Sequence, residues 1–390
     1  MAVENGNVHT AVVLQGGGAL GAYEYGVLKA LYEQRPGFRP VAVAGISIGA
    51  ITAAVLGGAK SDPISALDRL WRDKLTVSPP LPIVWLPKQI DQTLAALGNP
   101  GMYRLRAKLF TAPWTLTSIY DTAPLRQTLT ELVDPAILND EETRVFVGAT
   151  QIRTGKIEFF DSRCPGGLTF EHVVASGSLP PGFPMTKIKG KWYWDGGLFS
   201  NTPLSPAIDA LEEAADGDPS AVRELIVVEL FPMNALIPRT MRDVLQRMVQ
   251  LQYTSRLTLD EKFFEKTDRV VDLLAKIDQF VDLLAKIDGG LPEDIRSDPR
   301  YREMRDIRSD PAYGELRRHR KINHLNVVTA SFPAELSNAS DFSRSSVEAR
   351  IQAGYDDAIE QGIGRVNAPG LRPGVTGAGS ELATSGYESR

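Results

Sequence analysis

Twice within the first 60 residues, a short apolar run is followed by a glycine-bearing turn and then by apolar residues at helical spacing. The first pass is TAVVLQGGGALGAYEYGVLKALYEQRPG from Thr10. There Leu20, Tyr23, Val27, Leu28 and Leu31 fall at i, i+3, i+7, i+8 and i+11 and predict one buried helical face, ended by Pro36 and Gly37. The second pass is VAVAG, continued at once by ISIGAITAAVLGG. Parallel strands can be joined only by a crossover, usually a helix. Two strand-helix units in succession therefore predict an α/β protein with a mainly parallel sheet covered on both faces.

Composition narrows the class. The 43 basic and 48 acidic side chains of the 390 residues leave a net charge of −5 with no basic footprint, which excludes a nucleic-acid binder built on phosphate neutralisation. A single cysteine, Cys164, rules out an intramolecular disulfide and a cysteine-built zinc site. The first lysine is Lys29 and the N-terminal residues lack an apolar h-region, so a secretory signal is not expected and a cytoplasmic location is, with peripheral membrane contact left open. The uncharged run from Val41 to Ala59 is 19 residues long, the length of a membrane span, yet 12 of those residues are Ala, Gly, Ser or Thr. A buried strand and a buried helix fit that content better.

Further strands are predicted at 144–152, 156–161, 191–195, 225–231 and 325–330, from their Val, Ile, Phe, Tyr and Trp content. The expected organisation is an N-terminal tail at 1–9, a catalytic α/β unit at 10–231, a mainly helical accessory region with a late strand at 232–365, and a Gly, Ser and Pro-rich tail at 366–390. Within the α/β unit, residues 77–119 change character. Pro79, Pro80, Pro82 and Pro87 surround Trp85, and Arg104, Arg106 and Lys108 precede Phe110 and Trp114, a pattern that suits either a lipid-facing lid or an ordinary packed insertion. The accessory region repeats VDLLAKID at 271–278 and 281–288, and DIRSDP at 294–299 and 306–311. A shift of 10 residues turns an α-helix about 80° short of whole turns, so the two VDLLAKID copies are expected on different faces unless the helix is interrupted.

The sharpest chemical signal is Gly45-Ile46-Ser47-Ile48-Gly49 between an apolar strand and a helix. A serine on such a turn stands exposed at the carboxyl edge of the sheet, and the flanking glycines remove clashes that a strained turn could not bear. The second signal is Gly16-Gly17-Gly18-Ala19-Leu20-Gly21, whose backbone amides can bind a developing oxyanion. The same letters satisfy GxGxxG, but a dinucleotide site needs an acid at the end of the second strand, and here Gly45-Ile46-Ser47 occupies that place. A nucleophilic serine also needs a base. His9, His172, His319 and His324 are the only histidines and none follows a strand in a convincing loop. Asp195 ends an aromatic strand and is followed by Gly196 and Gly197, at the sheet edge where Ser47 is expected; its alternative role is to cap a turn.

These three segments, QGGGALGAY, GISIGA and DGGLFSNTPL, resemble in order and context the patatin-like phospholipases. YDTAPLRQTL, VGATQIRTGK and VVASGSLPPGFPM extend the resemblance over about residues 10–210, and DFSRSSVEARIQAGYDDA resembles a carboxyl-terminal extension of one bacterial subgroup. The resemblance implies a three-layer α/β/α fold and a Ser-Asp dyad, with Ser47 as nucleophile and Asp195 as general base. It also implies an oxyanion hole in the stretch Gly16, Gly17, Gly18 and Ala19, with Gly17 and Gly18 foremost. Gly21, Gly45, Gly49, Gly196 and Gly197 support the motifs. Gln15 stands where many relatives carry Asp, a position expected to be supportive. The implied activity is metal-independent and cofactor-free hydrolysis of phospholipid, lysophospholipid or other fatty acyl esters. The alternatives are an α/β-hydrolase with a Ser-Asp-His triad and a non-catalytic or activator-dependent lipid-binding protein.

Overall fold

The computed structural model describes residues 8–363 apart from 78–97, 141, 216–217, 219, 234–236, 255–256, 318, 320 and 334–335. The segment from Pro79 to Pro87 and both expected tails, except residues 8–9, lie outside the described residues. The chain forms a mixed, mainly parallel sheet between layers of helix. Its strands are β1 (Val8–Leu14), β2 (Ala42–Ile46), β6 (Arg144–Gln151), β7 (Ile157–Asp161), β8 (Thr186–Ile188), β9 (Lys191–Asp195), β10 (Val222–Glu229) and β11 (His324–Thr329). β3 (Gly98–Asn99), β4 (Tyr103–Leu105) and β5 (Tyr120–Asp121) form a separate small sheet. The main sheet runs β11-β10-β1-β2-β6-β9-β8, with β7 also on β6. The five strands from β11 to β6 are parallel, while β7, β8 and β9 pair antiparallel.

Alternation along β1 divides the core. Val12 and Leu14 face a large cluster with helices α1 (Ala22–Gln34) and α2 (Ile48–Gly58). Ala11 and Val13 face a smaller cluster completed by α4 (Leu204–Ala214), while α3 (Phe170–Ser176) packs near β6 and β9. The three-layer α/β/α reading is thus realised, and strands expected from composition appear within a few residues of their predicted ends. β8 has no such signature because it is only three residues long.

Helix α1 departs from expectation. The predicted face is buried, but so are Ala22, Glu24, Tyr25, Gly26 and Ala30 on the remaining faces. On the side of Tyr23 and Gly26 the cover is α7 (Arg344–Glu360), which crosses α1 at paired glycines, whereas Tyr25 reaches Asp68 and Glu24 lies toward Gln15 and Thr52. A Cβ on Gly26 would lie 2.1 Å from the Ile351 carbonyl, and one on Gly354 would lie 2.1 Å from the Tyr23 carbonyl. Tyr23 also donates to Asp357 Oδ2 at 2.6 Å. Glu24 is fully enclosed, and burial pushes its carboxyl well above the ordinary range. Gly26→Ala is expected to lower the melting temperature. Alanine is favoured over glycine in a helix by about 1 kcal/mol, but overpacking at a backbone-to-backbone crossing costs about 1–3 kcal/mol. A rise in melting temperature would show that the two helices do not cross this closely.

In the accessory region, α5 (Met241–Tyr253) leads to α6 (Leu257–Ile287). The VDLLAKID copies lie on α6 and its continuation without interruption, yet both bury the second leucine (Leu274 7%, Leu284 9%) and expose the first (Leu273 57%, Leu283 54%). The expected separation onto different faces is corrected for a geometric reason. The packed arc, which also holds Val281, is itself about 80° wide, so it receives both copies despite their offset. Each DIRSDP copy ends in an Asp-Pro helix start: Asp298 accepts from the Arg300 amide and Asp310 from the Ala312 amide, with Pro299 and Pro311 following.

Candidate active site

The register on β6 brings the two motif strands together. Phe146, Val147 and Gly148 pair with β2 on one edge and with β7 on the other. Ala149 and Thr150 keep β7 as a neighbour, so β9 must lie on the same edge as β2, just beyond its end. Ile46 pairs with Gly148, and Asp195 pairs with the next residue, Ala149. The carboxyl ends of β2 and β9 therefore meet head to head, with Ser47 directly after one and Asp195 at the end of the other.

Ser47 has φ 55° and ψ −119°. This positive φ is costly for a residue with a Cβ and is held by the surrounding structure. The amide of Ser47 donates to Ser176 Oγ at 2.9 Å. Its glycine neighbours are pressed against backbone. A Cβ on Gly45 would come within 2.2 Å of the Gly49 carbonyl, and one on Gly49 within 2.5 Å of the Leu14 carbonyl. These contacts let the elbow fold tightly onto the ends of β1 and α2.

Asp195 is 2% exposed. Burial pushes its carboxyl up to about 7, against the Ser47 hydroxyl and the Gly197 amide, both of which favour the ionised form. Gly197 donates to Asp195 Oδ1 at 2.8 Å, and the Asp195 amide donates to the Ser178 carbonyl at 3.0 Å. The turn-capping role and contact with Ser47 are thus held by one side chain. Gly196 packs against the Gly148 carbonyl and Ile46, where a Cβ would find 2.5 and 2.9 Å.

The glycine loop lies beside the serine. A Cβ on Gly16 would lie 2.9 Å from Ser47 Cβ and 2.6 Å from Asn201 Oδ1. The amide of Gly16 donates to Asn201 Oδ1 at 3.1 Å and that of Ala19 to the Ala339 carbonyl at 2.8 Å. The amides of Gly17 and Gly18 have no acceptor among the described residues. Gly18 has φ +56°, and Gly21 closes the short 3-10 turn against Ile48 and Trp71. Gln15 does support the loop, accepting from the Leu230 amide at 2.9 Å and donating to Thr202 Oγ1 at 2.8 Å.

Neither Ser47 nor Asp195 hydrogen-bonds to a histidine among the described residues. His172 is buried in α3, its Nδ1 accepts from the Thr169 amide at 2.9 Å, and burial followed by the Lys189 charge holds its imidazole down to about 4. His319 lies 3.5 Å from Glu212, and His9 and His324 lie on β1 and β11.

Residues that motif reading passed over complete the site. Asn201 clamps both backbone groups of Gly16, since its Nδ2 donates to the Gly16 carbonyl at 2.9 Å as well as to the Tyr253 carbonyl at 3.3 Å. Tyr253, the last residue of α5, is pushed up first by burial and then by the Asp195 charge. Asn201 lies inside the DGGLFSNTPL segment and Ser176 inside VVASGSLPPGFPM, and both could have been singled out there, whereas Tyr253 carries no local signal. Among the described residues no group of three or more His, Cys, Asp or Glu side chains could hold a metal ion, and no helix is long and apolar enough to cross a membrane.

Comparison with known proteins supplies the family. The patatin-like phospholipase model matches residues 12–208 of the 390, and a model described as patatin phospholipase matches residues 262–361. A cGAMP-activated phospholipase from Pseudomonas aeruginosa is 29% identical over 114 residues, covering 25% of this chain and 34% of that protein, so the match spans about a third of the curated relative. Among solved structures, VipD from Legionella pneumophila is similar over 90% of this chain and 66% of its own, at 14% identity and a TM-score of 0.37. ExoU from Pseudomonas aeruginosa, solved with SpcU, is similar over 89% and 76% respectively, at 14% identity and a TM-score of 0.25. The match over residues 12–208 covers half of the chain, and the chain belongs to the patatin-like phospholipase family.

Proposed function

We propose that the chain is a serine acyl hydrolase of phospholipid or lysophospholipid esters, working through a Ser47-Asp195 dyad. The observation that carries this reading is the buried Asp195 carboxyl facing the Ser47 hydroxyl, with a pKa raised to about 7. A general base is most effective when its pKa lies near the working pH. Ser47 Oγ attacks the ester carbonyl carbon while its proton passes to Asp195. The oxyanion forms against the Gly17 and Gly18 amides, the two in the loop without an internal acceptor. Collapse breaks the ester C–O bond, and Asp195 returns the proton to the leaving alcohol. Water then attacks the acyl-serine, Asp195 again takes the proton, and the fatty acid and Ser47 are released. Neither step calls for a metal or cofactor.

The small sheet of β3 to β5 supports a lipid-facing role for the later part of the 77–119 insertion. Met102 and Tyr103 are buried, whereas Phe110 and Trp114 stand 78% and 82% exposed beyond Arg104 and Arg106. Wild-type protein treated with a fluorophosphonate is expected to carry the label on Ser47 by mass-spectrometric mapping, and to release fatty acid from a panel of phospholipids and lysophospholipids. Absence of both label and fatty acid would overturn the reading. The dependence of kcat/KM on pH should rise to a plateau with an apparent pKa near about 7, because only ionised Asp195 can accept the proton. A profile flat down to pH 5 would remove Asp195 as the base.

A further inference from the structure

Ala19 is held by the carboxyl-terminal region at both of its backbone groups. Its amide donates to the Ala339 carbonyl at 2.8 Å, and its carbonyl accepts from Arg350 Nη1 at 3.3 Å. Arg350, on α7, is completely buried. The same guanidinium donates to the Asp341 carbonyl at 2.6 Å, the Asn338 carbonyl at 2.9 Å and the Leu336 carbonyl at 2.9 Å. The Asp341 carboxylate is occupied elsewhere, accepting from the Ser343 amide and the Ser346 hydroxyl. Arg350 is therefore a buried cation whose hydrogen bonds among the described residues all go to main-chain carbonyls. Burial lowers its pKa to about 10, opposed by the Asp341 charge, so it stays charged at neutral pH.

An apolar side chain would fill this place without desolvating a charge. What only a guanidinium supplies is a rigid plane of donors that gathers several carbonyls at once. Three of these carbonyls belong to the 336–341 segment and the fourth to Ala19. Ala339, in the middle of that segment, closes on the loop: its carbonyl oxygen lies 2.5 Å from where a Cβ on Gly18 would stand. The Ala19 amide lies in the peptide plane that follows Gly18, so its bond to Ala339 fixes that plane, and the Ala339 carbonyl closes on Gly18 itself, which has a positive φ.

We infer that Arg350 is a positioning residue for the oxyanion loop, drawing the 336–341 segment against Ala19 so that the Gly17 and Gly18 amides are held for the developing oxyanion. The inference rests on the Ser47-Asp195 reading and extends it, making the carboxyl-terminal region part of the wall of the site. Arg350 acts through Ala19 and touches no reacting atom.

The test uses full-length Arg350→Ala and Arg350→Lys beside wild type and Ser47→Ala, with a soluble chromogenic acyl ester and active sites titrated by fluorophosphonate. Turnover per titrated site is expected to fall about 10- to 100-fold in Arg350→Ala with KM within about twofold, the scale of a misplaced catalytic geometry. Millimolar guanidinium should restore part of the loss. A soluble Arg350→Ala that keeps wild-type turnover per titrated site, merely with fewer active sites, would overturn the inference and leave Arg350 a folding residue. If Arg350→Ala does not fold, Arg350→Lys carries the test, since an ammonium lacks the planar fork: reduced kcat at constant KM supports the inference and wild-type kcat sinks it. Hydrolysis surviving in Ser47→Ala would overturn the dyad instead, a result distinct from Ser47-dependent hydrolysis unaffected by the Arg350 variants.

Discussion

Ser47→Ala is expected to bring ester hydrolysis down by on the order of 10⁶-fold while leaving the fold intact. The loss is large because the attacking oxygen itself is removed. The residual rate then rests on binding and on the oxyanion amides alone, which in serine hydrolases retain about 10³- to 10⁴-fold over water. The fold should survive because the alanine methyl occupies the position of the serine Cβ, and the Ser47 amide keeps its bond to Ser176 Oγ. The strain also survives, since alanine carries the same Cβ at φ 55°. Ser47→Gly is the informative companion. It should be equally inactive, yet melt higher, because removing the Cβ relieves a strain of about 1–3 kcal/mol. Fatty acid release, fluorophosphonate mapping and thermal unfolding of the three proteins check all of this together. Substantial hydrolysis by pure Ser47→Ala would end the assignment of the nucleophile.

The second large effect is expected for Asp195→Asn, which should lower kcat/KM by about 10²- to 10⁴-fold, the range of a positioned general base. The same change should stabilise the protein at neutral pH and above. The folded pKa of Asp195, about 7, lies above its ordinary value of 3.8, so the native state holds a proton that the unfolded state releases as pH rises between those values. Below both values the group contributes no difference. Through the window from pH 4 to 7 the native state loses stability as pH rises, up to roughly 4 kcal/mol above it. Asparagine keeps an acceptor for the Gly197 amide and carries no charge, so it escapes this loss. The melting temperature of the variant minus that of wild type should grow from pH 5 to pH 8. A constant difference would show that Asp195 does not titrate abnormally, and a mild kinetic effect would send the search for the base elsewhere.

Much of this was legible in local pattern. The apolar runs at 11–14 and 42–46 sit in the middle of the sheet because a strand buried on both faces must be apolar throughout. The elbow at Ser47 announced itself because a strained turn admits few residue types beside it. Asp195 was visible because an acid at the end of an aromatic strand, before two glycines, is an unusual place for a charge. Other features had no local signature. Nothing near Gly26 indicates that α7, more than 300 residues later, crosses α1 there backbone to backbone. The VDLLAKID copies looked incompatible with one face because period alone does not say how wide the packed arc is.

What the sequence by itself determined are the properties carried by neighbouring residues: strand, turn and helix in order, the serine on its elbow, and the acid with its glycines. Only the tertiary structure decided the relations between residues far apart. The register on β6 sets Ser47 and Asp195 head to head. Asn201 and Ala339 occupy the amides of Gly16 and Ala19, which singles out Gly17 and Gly18. Arg350 reaches back across 331 residues to the Ala19 carbonyl. The physical reason is the same in each case. A backbone amide or carbonyl is identical in every residue, so which one stays without a partner depends on what the rest of the chain brings to it.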